Sequence, residues 1–282
     1  MPNKLTAWLC LCAVGAGILF SGSYRKIFYG IDLPIIAYHN FSAEIEVSDD
    51  LNITPGKFRS DLLELKEAGY TAVFFSDIIG YYEHEFELPD KPVLVTFDDG
   101  YASNREIAFP ILKELNMKAT IFILGINAGR ESDAITGEPL IPHFSAEQAR
   151  EMVDSGLVEI QTHTYNLHRP FLNMMSVRDF LTRETYKAYL TRDTFAVSEY
   201  IREATGASPY ALAYPYGYYD KLTEQIMRES GVLVTVTSDP GINRIHRSKY
   251  GLYGMKRIFP SEDSALDMIN AYVSGRYRSS SA

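Results

Sequence analysis

Three times in this chain a helix-period segment meets a glycine and runs straight into a β-rich stretch: LKEAGYTAVFF at 65–75, MVDSGLVEIQT at 152–162 and MRESGVLVTVT at 227–237. A fourth junction, LKELNMKATIFIL at 112–124, carries Asn116 at the equivalent place. Glycine or asparagine just past a helix accepts the left-handed conformation that ends it, so each junction reads as helix, stop, strand. The helix starts are equally legible. Thr54-Pro55 offers an N-cap and a first-turn proline, while Ser103 with Glu106 and Ser145 with Gln148 match capping boxes. Phe58, Leu62 and Leu65 share one face of the first helix.

Strands are expected at 34–39, 71–75, 92–97, 118–124, 158–163, 210–214, 232–237 and 255–259. Strands alternating with helices imply a parallel sheet, and a run of about 250 residues has the length of a distorted (β/α) barrel; a doubly wound open sheet is the competing α/β arrangement. The stretch 170–205 reads as an elaborated, partly helical crossover ending at Gly206. No low-complexity linker follows residue 30, so 30–282 is read as one domain with a frayed tail at 276–282.

Residues 1–29 are a different kind of sequence. LTAWLCLCAVGAGILF at 5–20 follows Lys4, precedes SGSYRK and holds both cysteines, Cys10 and Cys12. Extended through Gly22 it reaches about the 20 residues of a membrane span; it also suits a signal peptide, although no A-x-A cleavage site is evident. Signal peptide or membrane anchor, it implies an exported domain free of disulfides, secreted or held at the cell surface. The net charge of -9, without clustered Lys and Arg, argues against a phosphate-neutralising nucleic-acid binder. Twenty Tyr and fifteen Phe suit sugar-stacking surfaces as well as ordinary packing.

Chemistry in such sheets sits at the carboxyl ends of strands, where three polar clusters fall: TFDDG (96–100), QTHTYNLHRP (161–170) and AYPYGYY (213–219). Asp99 with His163 and His168 is an oxygen and two-nitrogen set of the kind that holds a catalytic divalent metal with positions left open. A spacing of five does not stack two histidines on a straight helix, so the pair must lie on a loop or helix entry that turns both rings to one point. Adjacent residues of an extended chain point to opposite sides. Gly100 permits a turn that brings Asp98 and Asp99 to one ion, or the two divide the work, Asp99 as ligand and Asp98 as general base for the attacking water. As purely structural residues they would make a turn and cap the helix that follows.

These motifs resemble the polysaccharide deacetylase family, the NodB-homology carbohydrate esterases, over roughly 34–260. The first motif, T-F-D-D-G, is unaltered at 96–100, and the second is His163-Thr164 with His168, whose four-residue spacing is similar to the branch acting on exported poly-N-acetylglucosamine. The resemblance implies Asp98 as base, Asp99, His163 and His168 as metal ligands, and the backbone N–H of Tyr216 as oxyanion donor. The third motif departs from the pattern, with Ala213 where an arginine usually orients the base; Arg257 in GMKRIFP (254–260) is the candidate replacement. No late L-x-H motif supplies the general acid; PIIAYHN (34–40) resembles the Tyr-His signature near the start of the poly-N-acetylglucosamine branch and ends a strand, so the resemblance makes His39 the candidate, while His84, His143 and His246 receive no role.

The expected activity is metal-dependent hydrolysis of N-acetyl groups from an extracellular N-acetylglucosamine polysaccharide, poly-N-acetylglucosamine before peptidoglycan or chitin oligomers, by a monomer holding Zn²⁺, with Co²⁺ or Ni²⁺ also compatible. Two alternatives are an inactive sugar-binding protein of this fold and a glycoside hydrolase. The last needs carboxyl groups about 5 to 9 Å apart on opposite sides of a bond, which sequence neighbours do not readily give.

Overall fold

A computed structural model of the chain describes residues 30–45, 49, 51–83, 85–247 and 251–276. The apolar segment at 5–22, His84 and most of the expected tail lie outside the described residues. Among the described residues no helix is long and apolar enough to cross a membrane.

Seven parallel strands form a nearly closed barrel: β1 (Ile35–Tyr38), β2 (Pro92–Phe97), β3 (Ala119–Ile123), β4 (Val158–Thr162), β5 (Ala211–Ala213), β6 (Val234–Pro240) and β7 (Met255–Arg257). Around the ring they stand in chain order. Closure comes from Ile258, just past β7, whose N–H donates to Ile35 O and whose carbonyl accepts from Ala37 N–H, both at 2.8 Å. The strand expected at 71–75 is cut to Thr71–Ala72. It pairs only with the first two residues of β2, and a helix begins at Phe75, where Asp77 accepts the Phe74 N–H at 2.8 Å.

Period-two alternation divides the core. Ile35, Leu94, Phe122 and Val234 pack inside the barrel, while their neighbours Ile36, Val95 and Ile121 face the surrounding helices. Those helices are α1 (Pro55–Glu67), α2 (Phe75–Tyr82), α3 (Phe109–Leu115), α4 (Ala146–Asp154), α5 (Arg183–Thr205), α6 (Lys221–Glu229) and α7 (Ala265–Val273). Thr54 caps α1 through Lys57 N–H, and Ser145 with Gln148 forms the expected capping box of α4. The expected box at Ser103 and Glu106 does not form, because Ser103 Oγ bonds Asn40 Oδ1 (2.7 Å) and the Phe41 N–H (3.0 Å) instead, tying the helix entry to the segment after β1. Gly69, Asn116, Gly156 and Gly231 all have positive φ, as the junctions require. Phe58, Leu62 and Leu65 are fully buried.

One polar side chain is held low on β4. Glu159 accepts from Thr120 Oγ1 (2.6 Å), the Phe75 N–H (3.2 Å) and the Tyr210 hydroxyl. Burial pushes its carboxyl above the usual range against these neutral donors.

Candidate active site

Strand β2 ends at Phe97, and the next two residues diverge because the backbone turns left-handed twice, at Asp99 (φ 72°) and Gly100 (φ 81°). A Cβ on Gly100 would lie 2.9 Å from Ile123 Cγ2, so only glycine fits. Among the described residues, besides Asn116, which ends a helix, the non-glycine residues with positive φ are Asp99, Thr164 and Tyr216, one in each polar cluster. Such backbone costs on the order of 1–3 kcal/mol per residue and gathers at functional sites.

Asp99 Oδ1 lies 3.5 Å from His163 Nε2 and 3.6 Å from His168 Nε2, and the ligand atoms of all three residues lie within 4.8 Å of one another. That oxygen is buried with no hydrogen-bond partner. His163 Nδ1 is 2.8 Å from the carbonyl of Ala213, which can only accept; the proton therefore sits on Nδ1 and leaves Nε2 a free lone pair. Burial pushes the His163 pKa down to about 4, which keeps the ring neutral. A buried carboxylate oxygen facing a nitrogen lone pair with no hydrogen between them calls for a cation. Three donors about 2.1 Å from one tetrahedral ion lie roughly 3.4 Å apart, so the residues present fit a divalent metal. Strand and loop share the work: His163 directly follows β4, whereas His168 opens the short hairpin of His168–Arg169 and Leu172–Asn173.

Asp98 has a different environment. Arg257 at the end of β7 grips it with both terminal nitrogens, Nη1 to Oδ1 and Nη2 to Oδ2, each at 2.7 Å, and donates from Nε to Thr237 O at 2.8 Å. Both side chains are almost wholly buried. Burial alone would raise the Asp98 carboxyl, but the Arg257 guanidinium holds it far below the usual carboxylate range. Ala213 acts only through its carbonyl, and the guanidinium arrives from two strands further round the ring. His39, after β1, places Nε2 3.9 Å from Asp98 Oδ2 and stacks on Phe259 at 6.2 Å between centroids. The Tyr216 ring stacks on His168 at 4.5 Å, and its backbone (φ 58°, ψ 10°) leads into Gly217, whose missing Cβ leaves room for Ser238.

These side chains line a cavity of about 540 Å³. A second cavity of about 360 Å³ shares Asp99, Tyr101 and His168 with it and continues toward Asn127 and the Asp133–Arg169 ion pair (2.7 Å). The structure thus gathers all seven residues read from the sequence and adds Tyr101, Phe259 and Ser238, which the sequence reading missed. Tyr101 directly follows TFDDG and Phe259 lies two residues past Arg257, the one signal each had. His143, given no role, is buried with its ring 5.0 Å from that of Tyr101. His246 lies apart, packed against Gly30.

Residues 86–235, just over half of the chain, match the family described as polysaccharide deacetylase. A poly-beta-1,6-N-acetyl-D-glucosamine N-deacetylase of Escherichia coli (strain K12) is 26% identical over 227 residues, covering 73% of this chain and 34% of that protein; the match thus spans about a third of the relative's length. Among solved structures, a de-N-acetylase from Aggregatibacter actinomycetemcomitans superposes with a TM-score of 0.71 at 25% identity over 86% of this chain and 99% of the other. IcaB from Ammonifex degensii gives 0.69 at 27% identity, over 86% and 97%.

Proposed function

The chain belongs to the polysaccharide deacetylase family, and on that premise we propose that it removes N-acetyl groups from an exported N-acetylglucosamine polymer, poly-β-1,6-linked before peptidoglycan or chitin. The observation that carries this reading is the unpartnered Asp99 oxygen facing His163 and His168 beside an Asp98 already held ionised by Arg257. Asp99, His163 and His168 would hold the ion, Zn²⁺ first, with Co²⁺ and Ni²⁺ compatible with the same donors. When bound, a divalent cation polarises the acyl oxygen and acidifies water, so a weak base suffices.

Asp98 is such a base. Its oxygens keep lone pairs beyond those given to Arg257, and they accept a proton from the water that attacks the amide carbon. The Tyr216 N–H, aimed by the left-handed turn into Gly217, stabilises the charge that develops on the acyl oxygen. His39 gives a proton to the amine nitrogen as the C–N bond breaks, leaving acetate and a free amine. The second cavity favours a polymer over a small amide, since it provides room for the sugar next to the reacting one. The cationic product suits a protein of net charge -9. The reading includes an exported monomer, either anchored through residues 5–22 or secreted after cleavage, and retention in the membrane fraction separates the two.

The deciding experiment measures acetate released from β-1,6-linked N-acetylglucosamine oligomers and from peptidoglycan in parallel, before and after chelation. Release from the oligomers, lost on chelation and restored by Zn²⁺ or Co²⁺, is expected. Equal rates after exhaustive chelation, or Asp98→Asn retaining activity within a few fold, would overturn the proposal.

A further inference from the structure

The loop that presents both histidines, residues 164–167, is buried in part and strained at Thr164 (φ 79°), a β-branched residue in a conformation it rarely adopts. Something must hold it there. The carbonyls of Thr164 and Tyr165 accept from the N–H groups of Gly125 (3.2 Å) and Ile126 (2.9 Å), and Thr164 Oγ1 accepts from Leu167 N–H (3.1 Å). The amides of Tyr165 and Asn166 both donate to one side chain. Asp193 Oδ1 accepts from Tyr165 at 2.8 Å and Oδ2 from Asn166 at 2.9 Å.

Asp193 belongs to α5, the long crossover helix, and enters none of the catalytic steps above. Its carboxyl is raised by burial and lowered only by those two amides. A buried carboxylate with only neutral donors is costly unless its position is needed. Here both oxygens are committed to consecutive amides midway between His163 and His168. We infer that Asp193 is a positioning residue for the metal site: it locks the 164–167 turn so that two histidines five residues apart present Nε2 to the same point. This inference rests on the metal site proposed above. The hairpin on the other side of the loop shares the task, since Arg169, next to His168, is anchored to Asp133 (2.7 Å) and Asn166 (3.2 Å).

The test is a Co²⁺ titration of the full chain against a chromophoric chelator, with wild type, Asp193→Ala and Asp193→Asn compared, and with the visible Co²⁺ spectrum recorded. Second-layer partners of metal ligands are worth about 10 to 100-fold in affinity, so Asp193→Ala is expected to weaken Co²⁺ binding by that factor and change the spectrum. Asp193→Asn, which keeps one carbonyl acceptor, should fall between. A folded Asp193→Ala with wild-type affinity and spectrum overturns the inference, whatever its thermal midpoint, because a purely structural role would lower stability alone. Should Asp193→Ala not fold, a Co²⁺ constant for Asp193→Asn within twofold of wild type overturns it equally. Wild type binding no Co²⁺ would remove the metal site itself, and this assignment with it.

Discussion

Asp98 and Asp99 are neighbours in sequence and equally buried, yet one side of the site is complete and the other is not. On the Asp98 side every demand of the carboxylate is met from within the protein, by a guanidinium 159 residues away. On the Asp99 side a buried oxygen without a hydrogen-bond partner faces two imidazoles. The difference shows how a motif of two identical residues specifies two roles. The left-handed turn at Asp99 separates the directions in which the two point, and distant strands then decide which charge is satisfied in advance.

Substitutions on the two sides should separate binding from chemistry. Asp99→Ala is expected to abolish both Co²⁺ binding in a chelator competition and acetate release. Asp98→Asn should keep the metal constant within about threefold while acetate release falls by roughly 10² to 10⁴, the range of a lost general base. Equal loss of metal from both variants would break the comparison.

Arg257→Met should show how far the complete side depends on its partner. Removing one member of a buried ion pair costs about 3–5 kcal/mol, measured here by urea unfolding, and the same change in an Asp98→Asn background should cost less. Metal removal sharpens the incomplete side: at a metal concentration near 100 Kd, chelation should lower stability by about 2.7 kcal/mol in wild type and Asp98→Asn, and leave Asp99→Ala unmoved.

Glu159, low in the barrel, gives the smallest and most diagnostic effect. Its folded pKa is raised by burial, so as pH climbs the unfolded chain, with a value of about 4.3, gives up its proton first. Its neutral form therefore stabilises the fold at low pH, and that contribution is lost as pH rises through the raised folded value. Asp98 has the opposite sign: its contribution is full above the unfolded value of about 3.9 and is lost as pH falls toward its depressed folded pKa. Against Glu159→Gln, the wild-type urea midpoint should decline between pH 4 and 8; a relative rise would contradict the assigned environment.

The local part of this arrangement was legible in sequence. Gly69, Asn116, Gly156 and Gly231 announce helix ends because left-handed backbone is a property of single residues. TFDDG and the His163–His168 spacing pointed to residues that the fold brings together, because donor chemistry is carried by residue type. Ser103 misled, since a capping pattern says nothing of a competing partner such as Asn40 from another part of the fold. Arg257 was legible only as a candidate, and Asp193 not at all, because a helical aspartate facing two loop amides leaves no pattern in its own segment. Strand 71–75 was too long because its apolar run continues into helix α2, and periodicity does not separate the two in so short a stretch.

The ring is built in chain order, and its final strand ends in Arg257, directly before the closing Ile258. Barrel closure and the counter-charge of Asp98 are therefore coupled, since the backbone bonds of Ile258 to the first strand and the grip of Arg257 on Asp98 come from adjacent residues and loosening one loosens the other.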